Sequence, residues 1–273
     1  MSSEIKVDTI SENTSANGVV IDSVTLKDGG ITTTGALTAN GGLKADNITI
    51  DGTEIDLSSG DLTLDAAGRI DLSADDNGEV RLFDGSSNYG QFKDDDDRLK
   101  IQGMIADKAM HFVVNNGGSE ATSIVIDSTG AVTKPLQPAF CVNPTSTQSN
   151  LGNNDTIAFG TERFDQNGDF SSNTFTAPVG GKYQLQYSFR FEGIDTAADF
   201  FRISMVTSNK TYELLLDPGG YSSAPVYQDF AMSVLADMDA SDTAFLRFDF
   251  GGVSDPASFD VRVASFFSGF LVC

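Results

Sequence analysis

Residues 183–191 read Tyr183-Gln-Leu185-Gln-Tyr187-Ser-Phe189-Arg-Phe191. Five bulky apolar side chains alternate with Gln184, Gln186, Ser188 and Arg190, the period-two signature of a strand with one buried face. The theme recurs at Phe201/Ile203/Met205, Phe230/Met232/Val234, Leu246/Phe248/Phe250 and Phe259/Val261/Val263. Between these runs lie FDQNGDFSSN, APVGGK, GIDTAAD, LDPGGYSSAP, DMDASD and GGVSDPAS, all rich in turn-forming residues. Many antiparallel strands punctuated in this way predict an all-β sandwich.

Outward from that stretch the composition changes sharply. Of 26 aromatic residues only four precede Pro138, and the other 22 follow it. A 135-residue C-terminal part with that many large side chains can fill a core, each contributing roughly 1.5–3 kcal/mol when buried. The N-terminal part has too few to do so alone. The predicted organisation is an extended region over 1–47, a repetitive β stalk over 48–134, a connector over 135–138 stiffened by Pro135 and Pro138, and a head over 139–273.

The stalk reading rests on short apolar pairs: Ile48/Ile50, Ile55/Leu57, Leu62/Leu64, Ile70/Leu72 and Val80/Leu82. The turns between them, DG, SSG, AAG and DDNG, hold glycines that reach positive φ at little cost. Strands of three or four residues bury little within one chain, so the arrangement expected is trimeric, intertwined or β-helical, with three chains sharing an axis. A single-chain β-solenoid is the competing arrangement, although its turns need about 18 residues or more to close. Farther on, YGQFKDDDDRLKIQG loosens the pattern and HFVV and SIVIDSTGAV resume it.

The formal net charge is −22, with 23 acidic and 10 basic residues before Ala139 and 16 and 7 after it. Nucleic-acid binding needs Lys and Arg against phosphates, and this balance argues against it. The N-terminal MSSEIKVDTISEN has no apolar run following a basic stretch, and no apolar run approaches the ~18 residues of a membrane span. Folding in a cytosol without membrane insertion is the expectation. The Asn-x-Ser/Thr sites at Asn13, Asn47, Asn154 and Asn209 carry little weight there. Cys141 opens the head and Cys273 ends the chain; a reduced pair and a late-formed bridge both remain open.

Chemistry-bearing patterns are scarce. With one histidine, His111, and two distant cysteines there is no material for a triad or a zinc site. Asp94–Asp97 lacks the alternate ligand spacing of a calcium loop, and Asp165-Gln-Asn167-Gly-Asp169 lacks its later Glu, so both read as turns. The expectation is a non-enzymatic protein without a resident cofactor.

Two resemblances sharpen this. FTAPVGGKYQLQYSFRFE (175–192), preceded by ERFDQNGDF and closed by FFSGFLVC, resembles the complement C1q globular-head family, which shares the tumour-necrosis-factor jelly roll. Phe175, Pro178, Gly181, Tyr183 and Phe267–Gly269–Phe270 fall where that family's signature falls. EIKVDTISENTSANGVVIDSVTLKDGG and SIVIDSTGAV are similar to bacteriophage fibre proteins. Together they imply a ten-stranded jelly-roll head, a homotrimer, attachment to other virion proteins through residues 1–47, and assembly in the host cytoplasm into a virion that binds bacterial cells.

If both ends of the head lie at its base, alternate loops reach the far apex: Glu192–Ala198, Asp217–Val226 and Gly251–Ser258. Their candidate contact residues are Asp195, Asp217, Tyr221 and Asp255, with Tyr227 at one margin. Tyrosine offers area and a hydroxyl, and carboxylates accept sugar hydroxyls or hold calcium. A tail fibre binding a cell-surface glycan or protein is thus the expected function. A capsid-attached fibre or decoration protein and a glycan-cleaving tail protein stand as alternatives.

Overall fold

The fold is described from a computed structural model, for residues 55, 59–73, 78–253 and 259–273. The chain divides into two units, residues 1–70 and 71–273. In the first, Leu62, Leu64 and Ile70 are exposed and none lies in a strand, nor does Leu72 just beyond it. The strands expected at these pairs are therefore not formed within one chain. Ile48, Ile50 and Leu57 lie outside the described residues.

Two three-stranded antiparallel meanders follow. The first comprises β1 (Glu79–Asp84), β2 (Ser87–Asp94) and β3 (Leu99–Gly103); the second comprises β4 (Met110–Asn116), β5 (Ser119–Ile126) and β6 (Val132–Thr133). Gly85 at φ +57° sits in the two-residue β1–β2 loop, where the strand twist favours positive φ. The acidic run closes the β2–β3 turn, with Asp96 and Asp97 at positive φ and surface pairs Arg98–Asp96 and Lys100–Asp95, each 3.9 Å. His111 lies in β4 opposite Val125.

The C-terminal sandwich holds β7 (Ala139–Asn143), β8 (Asp155–Thr156), β9 (Thr161–Gln166), β10 (Phe170–Ser171), β11 (Thr174–Thr176), β12 (Gly181–Glu192), β13 (Phe200–Thr207), β14 (Thr211–Leu216), β15 (Tyr227–Met238), β16 (Thr243–Gly251), β17 (Asp260–Val261) and β18 (Phe266–Leu271). One sheet runs β15-β12-β18-β7-β9 and the other β10-β11-β16-β13-β14. These are the ten principal strands; the two-residue strands β17 and β8 attach beside them.

The alternation reads through into burial. Tyr183, Leu185, Tyr187, Phe189 and Phe191 of β12 are buried against Phe201, Ile203 and Met205 of β13 and Leu246, Phe248 and Phe250 of β16. Phe140 stacks on Phe175 at 4.7 Å and meets Phe267 edge-on at 5.0 Å, so aromatic geometry adds to simple area burial. Val263 departs from the expected Phe259/Val261/Val263 face and is exposed. A turn in which the Ser265 amide donates to the Arg262 carbonyl ends the strand at Val261.

The connector is fastened to the sandwich. Gln166 Nε2 donates to the carbonyls of Lys134 (2.8 Å) and Gln137 (2.9 Å), and Gln137 Nε2 donates to Leu271 O. A lone 3-10 turn, Pro218–Gly220, is the helical element of the described residues. Among them no helix is long and apolar enough to cross a membrane.

Candidate functional site

Strand register locates the far end of the sandwich. Phe270 of β18 lies opposite Ala139, where β7 begins, so the end of β18 is beside the connector. β12 runs antiparallel to β18, with Tyr183 opposite Leu271, which carries Glu192 to the opposite end. Glu192 faces Tyr227, Phe200 faces Gly251 and Phe201 faces Leu216. The segments following Glu192, Leu216 and Gly251 therefore emerge together at the end remote from the connector.

Three expected contact residues lie in those segments, and each already serves its own loop. Asp195 Oδ1 accepts from the Ala197 amide at 2.8 Å, and Asp217 Oδ1 caps the 3-10 turn by accepting from the Gly219 amide at 2.9 Å. Tyr221 donates its hydroxyl to Gln228 Oε1 at 2.7 Å. Asp255 lies outside the described residues. The structure brings the loops to one end. Among the described residues no three His, Cys, Asp or Glu side chains are grouped to hold a metal ion.

Charged pairs that the sequence reading passed over fix the same end. Arg190 grips Asp229 across β12 and β15 through two bonds of 2.9 and 2.8 Å. That hydrogen bonding holds the Asp229 carboxyl below the usual carboxylate range, although partial burial opposes the shift. Arg262 pairs with Glu192 at 2.9 Å. The pair at Arg190 and Asp229 faces directly across two neighbouring strands, a relation invisible without register.

The cysteines do not meet within the chain. Cys141 lies opposite Ser268, five residues before Cys273, and both thiols are free. Five residues of strand span about 16 Å, well beyond the ~4.4–6.8 Å Cα separation of a disulfide. Of the two states left open by the sequence, the free pair is the one this geometry holds. Burial pushes the Cys141 thiol up, with Arg163 acting the other way.

The outer face of the β15-β12-β18-β7-β9 sheet is the larger feature that the sequence reading missed. Phe164, Phe270 and Leu235 are all about half exposed there, and Phe164, Phe266, Phe270 and Cys141 line a cavity of about 450 Å³. Gln186 Nε2 donates to Ser268 Oγ across the same face. Phe164 and Phe270 are the out-of-phase aromatics of their strands, and that phase was the available signal.

The model of the C1q domain matches residues 139–272. The chain carries a C1q-like jelly-roll domain at its C-terminus. A solved globular domain of zebrafish complement 1qA protein is similar at 18% identity, covering 50% of this chain and 98% of that one, with a TM-score of 0.39. No curated protein matches the chain.

Proposed function

We propose that this protein is a homotrimeric bacteriophage tail fibre whose C1q-like domain attaches non-covalently to the host cell surface. The observation that carries the reading is the register of the sandwich, which sends three loops to the end remote from the connector. Loops on a rigid scaffold are where binding residues concentrate. Residues 1–47 would join other virion proteins, in keeping with the fibre-like EIKVDTISENTSANGVV run.

The exposed apolar face carrying Phe164, Phe270 and Leu235 supports self-association, since large exposed apolar patches commonly mark protein contacts. Three copies of a weak apical site gain avidity without any new contact. Calcium at the apex is a separate proposal: Asp195 and Asp217 each use one carboxylate oxygen in a turn and keep the other. Calcium titration against thermal midpoint tests it, and an unchanged midpoint removes it.

Adsorption competition tests the main reading. Soluble protein at saturating concentration is expected to block attachment of the phage. Replacing residues 193–198, 217–226 and 251–258 is expected to abolish the block while native mass is retained. Undiminished adsorption would instead favour a structural fibre or decoration protein. Release of reducing sugar from host polysaccharide would favour the glycan-cleaving alternative.

A further inference from the structure

The two leading meanders are sheets turned inside out. In the first, register aligns Val80, Phe92 and Ile101 across three strands, with Leu82 beside Gly90 and Gly103 on the same face. A register shift beside Leu82 leaves Tyr89 of β2 without a residue opposite it on β1. The reverse face carries Glu79, Lys93 and Lys100, then Arg81, Gln91 and Gln102. Yet Gln91 is 6% exposed, whereas Phe92 is 40% and Ile101 51% exposed.

The second meander repeats the plan. Met110, Ile126 and Val132 align across its strands, and Phe112 pairs with Ile124. A register shift again leaves one residue of the second strand, Ser123, without a partner opposite it on β4. An antiparallel sheet with one apolar face is stable only when that face is covered. Met110 lies over the Gly103 end of the first face, and Phe92, Ile101, Phe112 and Val132 remain between about 40% and 60% exposed.

We infer that the apolar faces of the two meanders pack against the same faces of two further copies of the chain, closing a three-sided β prism around a common axis. This rests on the homotrimer reading and says which surface performs it. On these faces Leu82, Phe92, Ile101, Phe112 and Val132 are each more than a third exposed, so both faces are open to another molecule. Geometry selects three copies. A three-stranded sheet is roughly 14 Å wide, so three of them enclose an axis about 4 Å from each sheet. Side chains reach about 5 Å from a sheet in face-to-face packing, so they fill that space. Four sheets would leave the axis about 7 Å away and a void along it, while two would leave both flanks open to water.

β2 and β5 are the central strands of their meanders, so Phe92 and Ile126 stand nearest the axis. Cysteines at either position would bring Cβ atoms from neighbouring copies to about 4 Å, within disulfide reach. The test uses the full chain with Cys141→Ser and Cys273→Ser, adding Phe92→Cys, Ile126→Cys or, on the reverse face, Arg81→Cys. Each is oxidised with copper phenanthroline, run on a non-reducing denaturing gel, and measured for native mass. Three thiols at one axis form one bond and leave one over, so about two thirds of the chains are expected as covalent dimers for Phe92→Cys and Ile126→Cys. Arg81→Cys is expected to give almost none. Near-complete conversion would mean a two-chain sandwich and overturn the prism. A trimeric mass without crosslinking at Phe92→Cys or Ile126→Cys would overturn the prism and leave the homotrimer standing. A monomeric mass in the Cys141→Ser, Cys273→Ser background would overturn both.

Discussion

β12 and β2 are both central strands of antiparallel sheets, and they meet opposite fates. In β12 each of the five alternating apolar side chains is buried by the facing sheet. In β2 Phe92 stands half exposed, and Gln91 is the one buried residue among the described residues before Pro138. The difference lies in what the chain offers as a cover. Twenty-two aromatics after Pro138 supply a second sheet and a shared core, whereas four before it do not. A strand pattern specifies which face wants to be buried, and the rest of the chain decides whether burial is internal or must come from another molecule.

Truncations should separate the two regions by size and by kind. The largest effect is expected in the sandwich, where Phe248→Ala removes a ring packed on Phe191, Phe201 and Phe259. A loss of about 3–5 kcal/mol in urea unfolding is expected. Phe92→Ala should leave unfolding of the sandwich nearly unchanged and weaken self-association instead. Equal losses at both positions would break the contrast.

Gly269→Ala comes next. A Cβ there would lie 2.6 Å from Leu185 Cδ2 and 2.8 Å from Phe140 Cε1, with backbone at 3.2 Å. Overpacking of this kind should cost about 1–3 kcal/mol, read as a fall in thermal midpoint. Gly85→Ala, in a turn with nothing within 4 Å, meets only its φ of +57° and should cost less.

Tyr187→Phe should move the other way. Its hydroxyl is buried with no partner among the described residues, and burial pushes its ionisation well above the ordinary tyrosine range. Removing an unsatisfied buried hydroxyl should be neutral or stabilising by up to about 1 kcal/mol. Tyr183→Phe is the matched control, since it loses a 2.8 Å bond to the Val179 carbonyl and should destabilise.

The smallest effect concerns pH. The folded Asp229 carboxyl titrates below its unfolded value because of Arg190, so its contribution is present above about pH 4, the unfolded value. That contribution fades as pH falls through the lower folded value. Both side chains are about half exposed, so solvent screening keeps it slight. Comparing acid unfolding of the wild type with Asp229→Asn should show a marginal difference confined to that window.

The sandwich was legible because Tyr183–Phe191 holds its period unbroken over nine residues and nothing competes with that reading. Val263 was misjudged because a turn at Arg262–Ser265, closed by backbone bonding alone, leaves no mark in side-chain pattern. The amphipathic meanders were hidden for a related reason. Register shifts leave Tyr89 of β2 and Ser123 of β5 without an opposite residue on the preceding strand and break the period of two. The state of Cys141 and Cys273 stayed open in the sequence because a five-residue offset between neighbouring strands leaves no mark in it. The apical loops could be counted out from alternation, but the bonds that engage Asp195, Asp217 and Tyr221 depend on loop geometry.

Whether the N-terminal half completes its core in another molecule is decided by the native mass of the full-length protein. Sedimentation equilibrium should return three chains of 28.9 kDa in one particle. A stable 28.9 kDa monomer at micromolar concentration would contradict it, and the exposed faces of Phe92 and Ile126 would then need another cover.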